Sequence, residues 1–72
     1  MAIPQSFGKR VRSLRISRGL TQETLARKAN LHRTYIGMVE RGEKNVTLLS
    51  MAKLAVALGV NLSNLVRGVK YE

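Results

Sequence analysis

The side chains that could do chemistry in this 72-residue chain are few, and their types limit what that chemistry can be. There are four glutamates, Glu23, Glu40, Glu43 and Glu72, a single histidine, His32, and neither aspartate nor cysteine. General acid–base or nucleophilic catalysis needs a titratable group within hydrogen-bond reach of a partner, and a metal needs several ligands at a set spacing. His32 has no companions placed for either task, and no glycine loop suited to cradling a phosphate occurs. No enzyme, metal or cofactor is expected. The chain offers hydrogen-bond donors and cations instead: Gln22, His32, Arg33, Thr34, Tyr35, Arg41, Lys44 and Asn45 within one central stretch, with Arg10 and Arg12 before it. Thirteen Lys and Arg set the formal net charge at +9. Such an excess favours a polyanionic partner, either nucleic acid or an anionic membrane surface.

Positioning those residues requires a fold, and the apolar spacing points to helices. Val, Ile and Thr never alternate with polar residues over a strand's length, whereas spacings of three and four recur, so the chain reads as all-α. The first helix is expected over about residues 5–18, with Phe7, Val11 and Leu14 on one stripe and Lys9, Arg10, Arg12, Arg15 and Arg18 around it, ending at Gly19. Thr21 is suited to cap a second helix that runs to about Ala29 and buries Leu25, Ala26 and Ala29, with Glu23 near its positive end. Asn30 tolerates the left-handed conformation and makes the corner, where Leu31 packs and small Ala26 allows close approach. A third helix, about residues 32–41, buries Ile36 and Val39 and stops at Gly42. After a polar loop over residues 43–46, Thr47 caps a fourth helix ending before Gly59, with Leu48, Met51, Leu54, Ala55 and Leu58 facing inward. A fifth, about residues 62–67, contributes Leu65. Five short helices make one compact domain over residues 1–72, with a core over about 5–67 and frayed residues 69–72. A domain this small buries only roughly 60% of its unfolded surface, which leaves room for stabilisation by a partner.

The two central helices, with their tight turn, have the spacing of a helix-turn-helix over about residues 21–41: Gln22 as polar start, Ala26 as small contact, Asn30 as corner, Ile36 as core anchor and Glu40 as polar end. Through RSLRISRGLTQETLA, RTYIGMVERG and LAVALGV the chain resembles the lambda-repressor-like family, which includes the small phage repressors and Cro proteins, over about residues 7–66. RTYI followed by ERG is most similar to the controller proteins of restriction-modification systems.

The resemblance implies roles position by position. Gln22 meets a backbone phosphate, aided by the helix N-terminus. Arg33 and Thr34 start the recognition helix, where the family reads base edges; Arg33 is suited to guanine O6 and N7, a contact worth ~1–3 kcal/mol of discrimination. Thr34 offers its methyl to thymine, its hydroxyl to phosphate, or only a cap. One turn on, Gly37 and Met38 face the groove with Tyr35 at its edge. Gly37 departs from the polar residue common in the family, so either it permits close backbone approach or a reading position is lost. Met38 is a thymine-methyl contact or packing filler, and Tyr35 a DNA contact or a half-buried ring. His32 is a turn or N-cap residue near a phosphate. Arg41, Lys44 and Asn45 meet the sugar-phosphate backbone or are solvated, as are Arg10 and Arg12, for which the sequence offers no partner. Glu40 pairs with Arg15 and clamps the first helix to the third.

Leu49, Ala52 and Val56 lie off the core stripe of the fourth helix, next to Leu62 and Val66 of the fifth, and this surplus apolar surface is expected to form a two-fold dimer. The implied function is a dimeric regulator that binds double-stranded DNA at a palindromic operator. It would be autoregulatory, with repression by promoter occupancy, activation through RNA polymerase, and no small-molecule effector. A phage-type repressor or an antitoxin that masks a protein partner is the alternative, although only Val69-Lys70-Tyr71-Glu72 remains for such an interaction tail. A membrane-surface role, suggested by the basic first helix, is opposed by five apolar stripes able to bury one another. RNA binding would call for more exposed aromatics than Phe7, Tyr35 and Tyr71. The absence of an apolar run near Met1 or of any span of roughly 20 apolar residues fits a cytoplasmic prokaryotic protein.

Overall fold

Helix starts in this chain are set by side chains that replace missing backbone partners. In the computed structural model, which describes residues 2–70, the helices are α1 (Ala2–Ser17), α2 (Gln22–Ala29), α3 (Arg33–Glu40), α4 (Leu48–Leu58) and α5 (Leu62–Leu65). Thr21, Thr47 and Asn61 each sit in extended conformation before a helix and accept a hydrogen bond from the N–H three residues on. His32 does the same for α3 with its ring: Nδ1 accepts from Thr34 N at 3.0 Å. Each accepts one of the four orphan donors of a helix N-terminus. The corner between α2 and α3 is made as expected, with Asn30 left-handed at φ 55 and ψ 46 and Leu31 N donating back to Ala26 O at 2.9 Å.

The apolar stripes of the helices close on one core of Phe7, Val11, Leu14, Leu25, Ala26, Ala29, Ile36, Val39, Leu54, Ala55, Leu58 and Leu65. α3 is held between α2 and α1, and α4 backs α2. Gly8 permits the α1–α3 approach. A Cβ there would run into the carbonyl oxygens of Val39 and Glu40, so no larger residue fits without moving a helix. Gly42, at φ +77, closes α3 against Gln5 of α1, where a Cβ would lie 2.8 Å from the Gln5 Cα. No helix among the described residues is long and apolar enough to cross a membrane.

Several boundaries and faces differ from the sequence expectation. α1 starts at Ala2 instead of residue 5, because Pro4 falls in the first turn, where its missing N–H has no intrahelical partner to lose. α5 stops at Leu65 instead of 67, with Val66 as its cap. Residues 69 and 70 are docked, not frayed: Val69 packs on the core and Lys70 N donates to Ser6 Oγ at 2.9 Å. Tyr71 and Glu72, included in the same expectation, lie outside the described residues. Leu48 is 65% exposed and does not join the inward stripe. At about 100° per residue it stands some 60° to 120° from Met51, Leu54 and Leu58, on the border of the stripe beside Ala55, and it shares an arc of about 100° with Leu49, Ala52 and Val56. Arg10 has a partner after all: its Nη2 donates to Asn64 O and Oδ1 at 2.8 and 2.7 Å, which ties α1 to α5.

The Arg15–Glu40 pair fixes α3 to α1. Arg15 Nε and Nη2 donate to Glu40 Oε2 and Oε1 at 2.7 and 3.0 Å, while Nη1 donates to Leu20 O at 2.8 Å. Gln22 Nε2 adds a bond to Glu40 Oε1 at 3.1 Å. The side chains are only 12% and 3% exposed, so removing one partner strands a buried charge. Glu40→Ala is expected to cost ~3–5 kcal/mol of stability, a large share of the roughly 5–15 kcal/mol available to a small domain. Urea unfolding followed by circular dichroism measures it; a loss below 1 kcal/mol would remove the clamp from this account.

Candidate nucleic-acid interface

The surface of the α2–α3 unit is built from the residues that the core does not claim. On α3 Ile36 and Val39 are buried in the core and Glu40 is turned to Arg15, which leaves Arg33, Thr34 and Met38, with Gly37 covered between them and Arg41 at the helix cap, on the opposite side. Arg33 and Thr34 are exposed at its N-terminus, Met38 is half-buried, and Tyr35 is half-buried at the edge, packed against the core. Across from this stripe stands the start of α2. An open cleft of about 670 Å³ lies between them, lined by Arg15, Gly19, Leu20, Thr21, Gln22, Glu23, Arg33, Thr34, Gly37 and Arg41. The structure thus brings Gln22, Arg33, Thr34, Gly37 and Arg41 to one concave surface.

Two of its cations are paired. Arg33 Nη1 donates to Glu23 Oε2 at 3.1 Å, with both side chains well exposed. Arg41 Nε and Nη2 donate to Glu43 Oε2 and Oε1 at 2.9 and 3.3 Å. This hydrogen bond lowers the Glu43 carboxyl below its ordinary range and raises the Arg41 guanidinium. A depressed carboxylate contributes stability that is present above its unfolded pKa and lost as pH falls through the folded one. Protonation of Glu43 is therefore shifted to more acid pH than for a free glutamate, and an exposed pair of this kind contributes little to folding.

Gly37 is the most informative departure. It is buried beneath the side chains of Arg41 and Gln22, and a Cβ there would stand 3.1 Å from Arg41 Nη1 and 3.8 Å from Gln22 Oε1. The close approach that glycine permits here is that of a guanidinium.

The remaining candidates lie elsewhere. Lys44 and Asn45 belong to the loop after α3 and border a mostly apolar pocket of about 160 Å³ with Phe7, Val46 and Met51. Arg12 is exposed on α1 outside the cleft, and Arg10 is engaged by Asn64. His32 acts as the α3 cap. On α4 and α5, Leu49 and Val56 are 68% and 80% exposed, Ala52 is exposed, and Leu62 and Val66 are partly so; Leu48 extends the same patch. Glu23, Glu43, Gly8 and Asn64 have structural roles that no local pattern signalled, since each depends on a residue brought close only by folding or by a turn. Replacing Gly37 by Ala should raise stability by up to ~1 kcal/mol, because helix propensity improves and a flexible Arg41 terminus yields easily. The same change should displace Arg41 and weaken binding of double-stranded DNA. Thermal unfolding and a fluorescence titration read the two effects, and a fall in melting temperature would refute the packing argument.

Known proteins share this arrangement. Residues 11–65 match the helix-turn-helix family profile. Control protein C.SmaI of Serratia marcescens is 46% identical over 74 residues, covering 100% of this chain and 88% of its own length. Among solved structures, the restriction-modification controller protein C.AhdI from Aeromonas hydrophila superposes with a TM-score of 0.88 at 48% identity, over 90% of this chain and 98% of that one. The controller protein C.Esp1396I, solved as a tetramer on its natural 35 base-pair operator, superposes with a TM-score of 0.81 at 34% identity, over 85% of this chain and 80% of that one. With its capped α2, left-handed Asn30 and exposed α3 stripe, the chain belongs to the helix-turn-helix family, where its relatives include restriction-modification controller proteins.

Proposed function

We propose that this protein is a dimeric, sequence-specific DNA-binding transcriptional regulator of the controller type, acting on an operator of two-fold symmetry. The observation that carries this reading is the α3 stripe: Arg33 and Thr34 stand exposed beside Gln22 and Arg41, while the reverse side of the same helix is locked to α1 through Glu40. A helix held from behind and polar in front can enter a major groove without deforming.

The apolar patch on α4 and α5 supports dimerisation, since Leu48, Leu49 and Val56 expose more than half of their surface. Two protomers joined there would set two recognition helices about one DNA turn, roughly 34 Å, apart. Dimer formation and operator filling both rise with protein concentration. That supplies an autoregulatory signal without a small-molecule effector, with repression where the dimer covers a promoter and activation where it touches RNA polymerase.

Selection of bound duplexes from a randomised pool at physiological salt tests the reading. Enrichment of a two-fold palindrome supports it; binding only at low salt, with no enrichment, sinks it. If six phosphates are neutralised, log affinity should fall against log salt with a slope of about −5, and a slope near zero would remove the electrostatic part. Arg33→Ala should relax preference at one base pair per half-site, at a cost of ~1–3 kcal/mol. Lys44→Ala should weaken all sequences alike. Uniform losses for both variants would withdraw the base-reading role of Arg33.

A further inference from the structure

Arg33 and Arg41 each carry a glutamate, yet the two carboxylates take different edges of the guanidinium. Glu43 occupies both Nε and Nη2 of Arg41. Glu23 takes only Nη1 of Arg33. A guanidinium is a flat fork of five donors, and a bidentate contact to a base needs two of them on one free edge. In Arg41 the Nε–Nη2 edge is filled and Nη1 is turned over Gly37. In Arg33 the Nε–Nη2 edge donates to no acceptor among the described residues.

We propose that Glu23 is a positioning residue for base recognition: it holds Arg33 by Nη1 so that the Nε–Nη2 edge is presented to guanine O6 and N7. This rests on the reading of the chain as a sequence-specific regulator. Glu23 is well placed to stay fixed while Arg33 is read out. It lies in the first turn of α2, next to the Thr21 cap, where the positive helix end accommodates its charge whether or not Arg33 is bound. The bond survives docking because it uses a donor that the base does not need. Without it, the long side chain of Arg33 is free to swing to a phosphate, a contact available on every sequence. Non-cognate affinity then gains from Arg33 and cognate discrimination falls. The pair is exposed, 69% and 65% at its side chains, so the effect is bounded: an exposed ion pair corresponds to roughly 1.5- to 5-fold.

The experiment compares the intact protein with Glu23→Gln and Glu23→Ala on the selected operator and on a duplex of the same composition in shuffled order. Both variants remove one negative charge, but only Gln keeps an acceptor oxygen for Arg33. The operator-to-shuffled affinity ratio is expected to fall about 2- to 5-fold per protomer for Ala, and less for Gln. In an Arg33→Ala background, Glu23→Ala should move both duplexes by the same factor. Melting temperatures check that the exposed substitutions leave the fold intact. If Gln and Ala strengthen binding to both duplexes equally, with the ratio unchanged, Glu23 acts only as a repelling charge and the proposal is overturned. An unmutated protein that itself prefers no duplex is a separate failure: that outcome removes the regulator reading and this inference with it.

Discussion

The Arg15–Glu40 pair is the constraint on which the helix-turn-helix depends. α2 and α3 have eight residues each, too few for stable helices in water, where isolated helices shorter than about 12–15 residues are marginal. Their geometry must therefore come from what they pack on. Ile36 and Val39 supply the apolar part, but apolar contact is non-directional and would tolerate rotation of a short helix. The bidentate fork of Arg15 does not, because both carboxylate oxygens of Glu40 are engaged in the plane of the guanidinium. The third arm, to Leu20 O, carries the constraint into the loop that launches α2.

With the inner side so fixed, the chemistry of the outer side follows from charge. The described glutamates each hold an arginine, at three depths: Glu40 buried beside Arg15, Glu43 and Glu23 exposed beside Arg41 and Arg33. Burial makes the first a structural element. Exposure leaves the other two weak enough to exchange for a polyanion, since water and salt screen them. The same interaction type thus serves fold or recognition according to how much solvent reaches it.

Charge and apolar surface are also kept apart. The cleft between α2 and α3 is lined mainly by charged and hydrogen-bonding residues, with two glycines and Leu20, whereas Leu48, Leu49, Ala52 and Val56 share one side of α4. A mixed surface could not favour both a phosphate backbone and a second apolar face. Arg10 strengthens the separation by anchoring α5 through Asn64 to α1, so the patch that includes Leu62 and Val66 is held at a set distance from the recognition helix.

Local patterns in the sequence determined much of this. Thr21, Asn30 and Thr47 mark helix boundaries because capping and left-handed conformations are properties of single residues and their near neighbours. The spacing of Leu25, Ala26, Ala29, Ile36, Val39, Leu54 and Leu58 fixed the inward faces, since helical periodicity is itself local. Tertiary structure decided the rest. Leu48 was indistinguishable by hydrophobicity from the core leucines, and only the direction in which α4 meets α2 left it outside. Arg10 and Asn64 are 54 residues apart, and Gly8 meets α3 carbonyls far along the chain, contacts that no local pattern encodes. The roles proposed for Arg33 and Arg41 turn on which guanidinium edge a glutamate occupies. That is a matter of side-chain direction at a few ångströms, set by how two short helices are docked and not by the order of their residues.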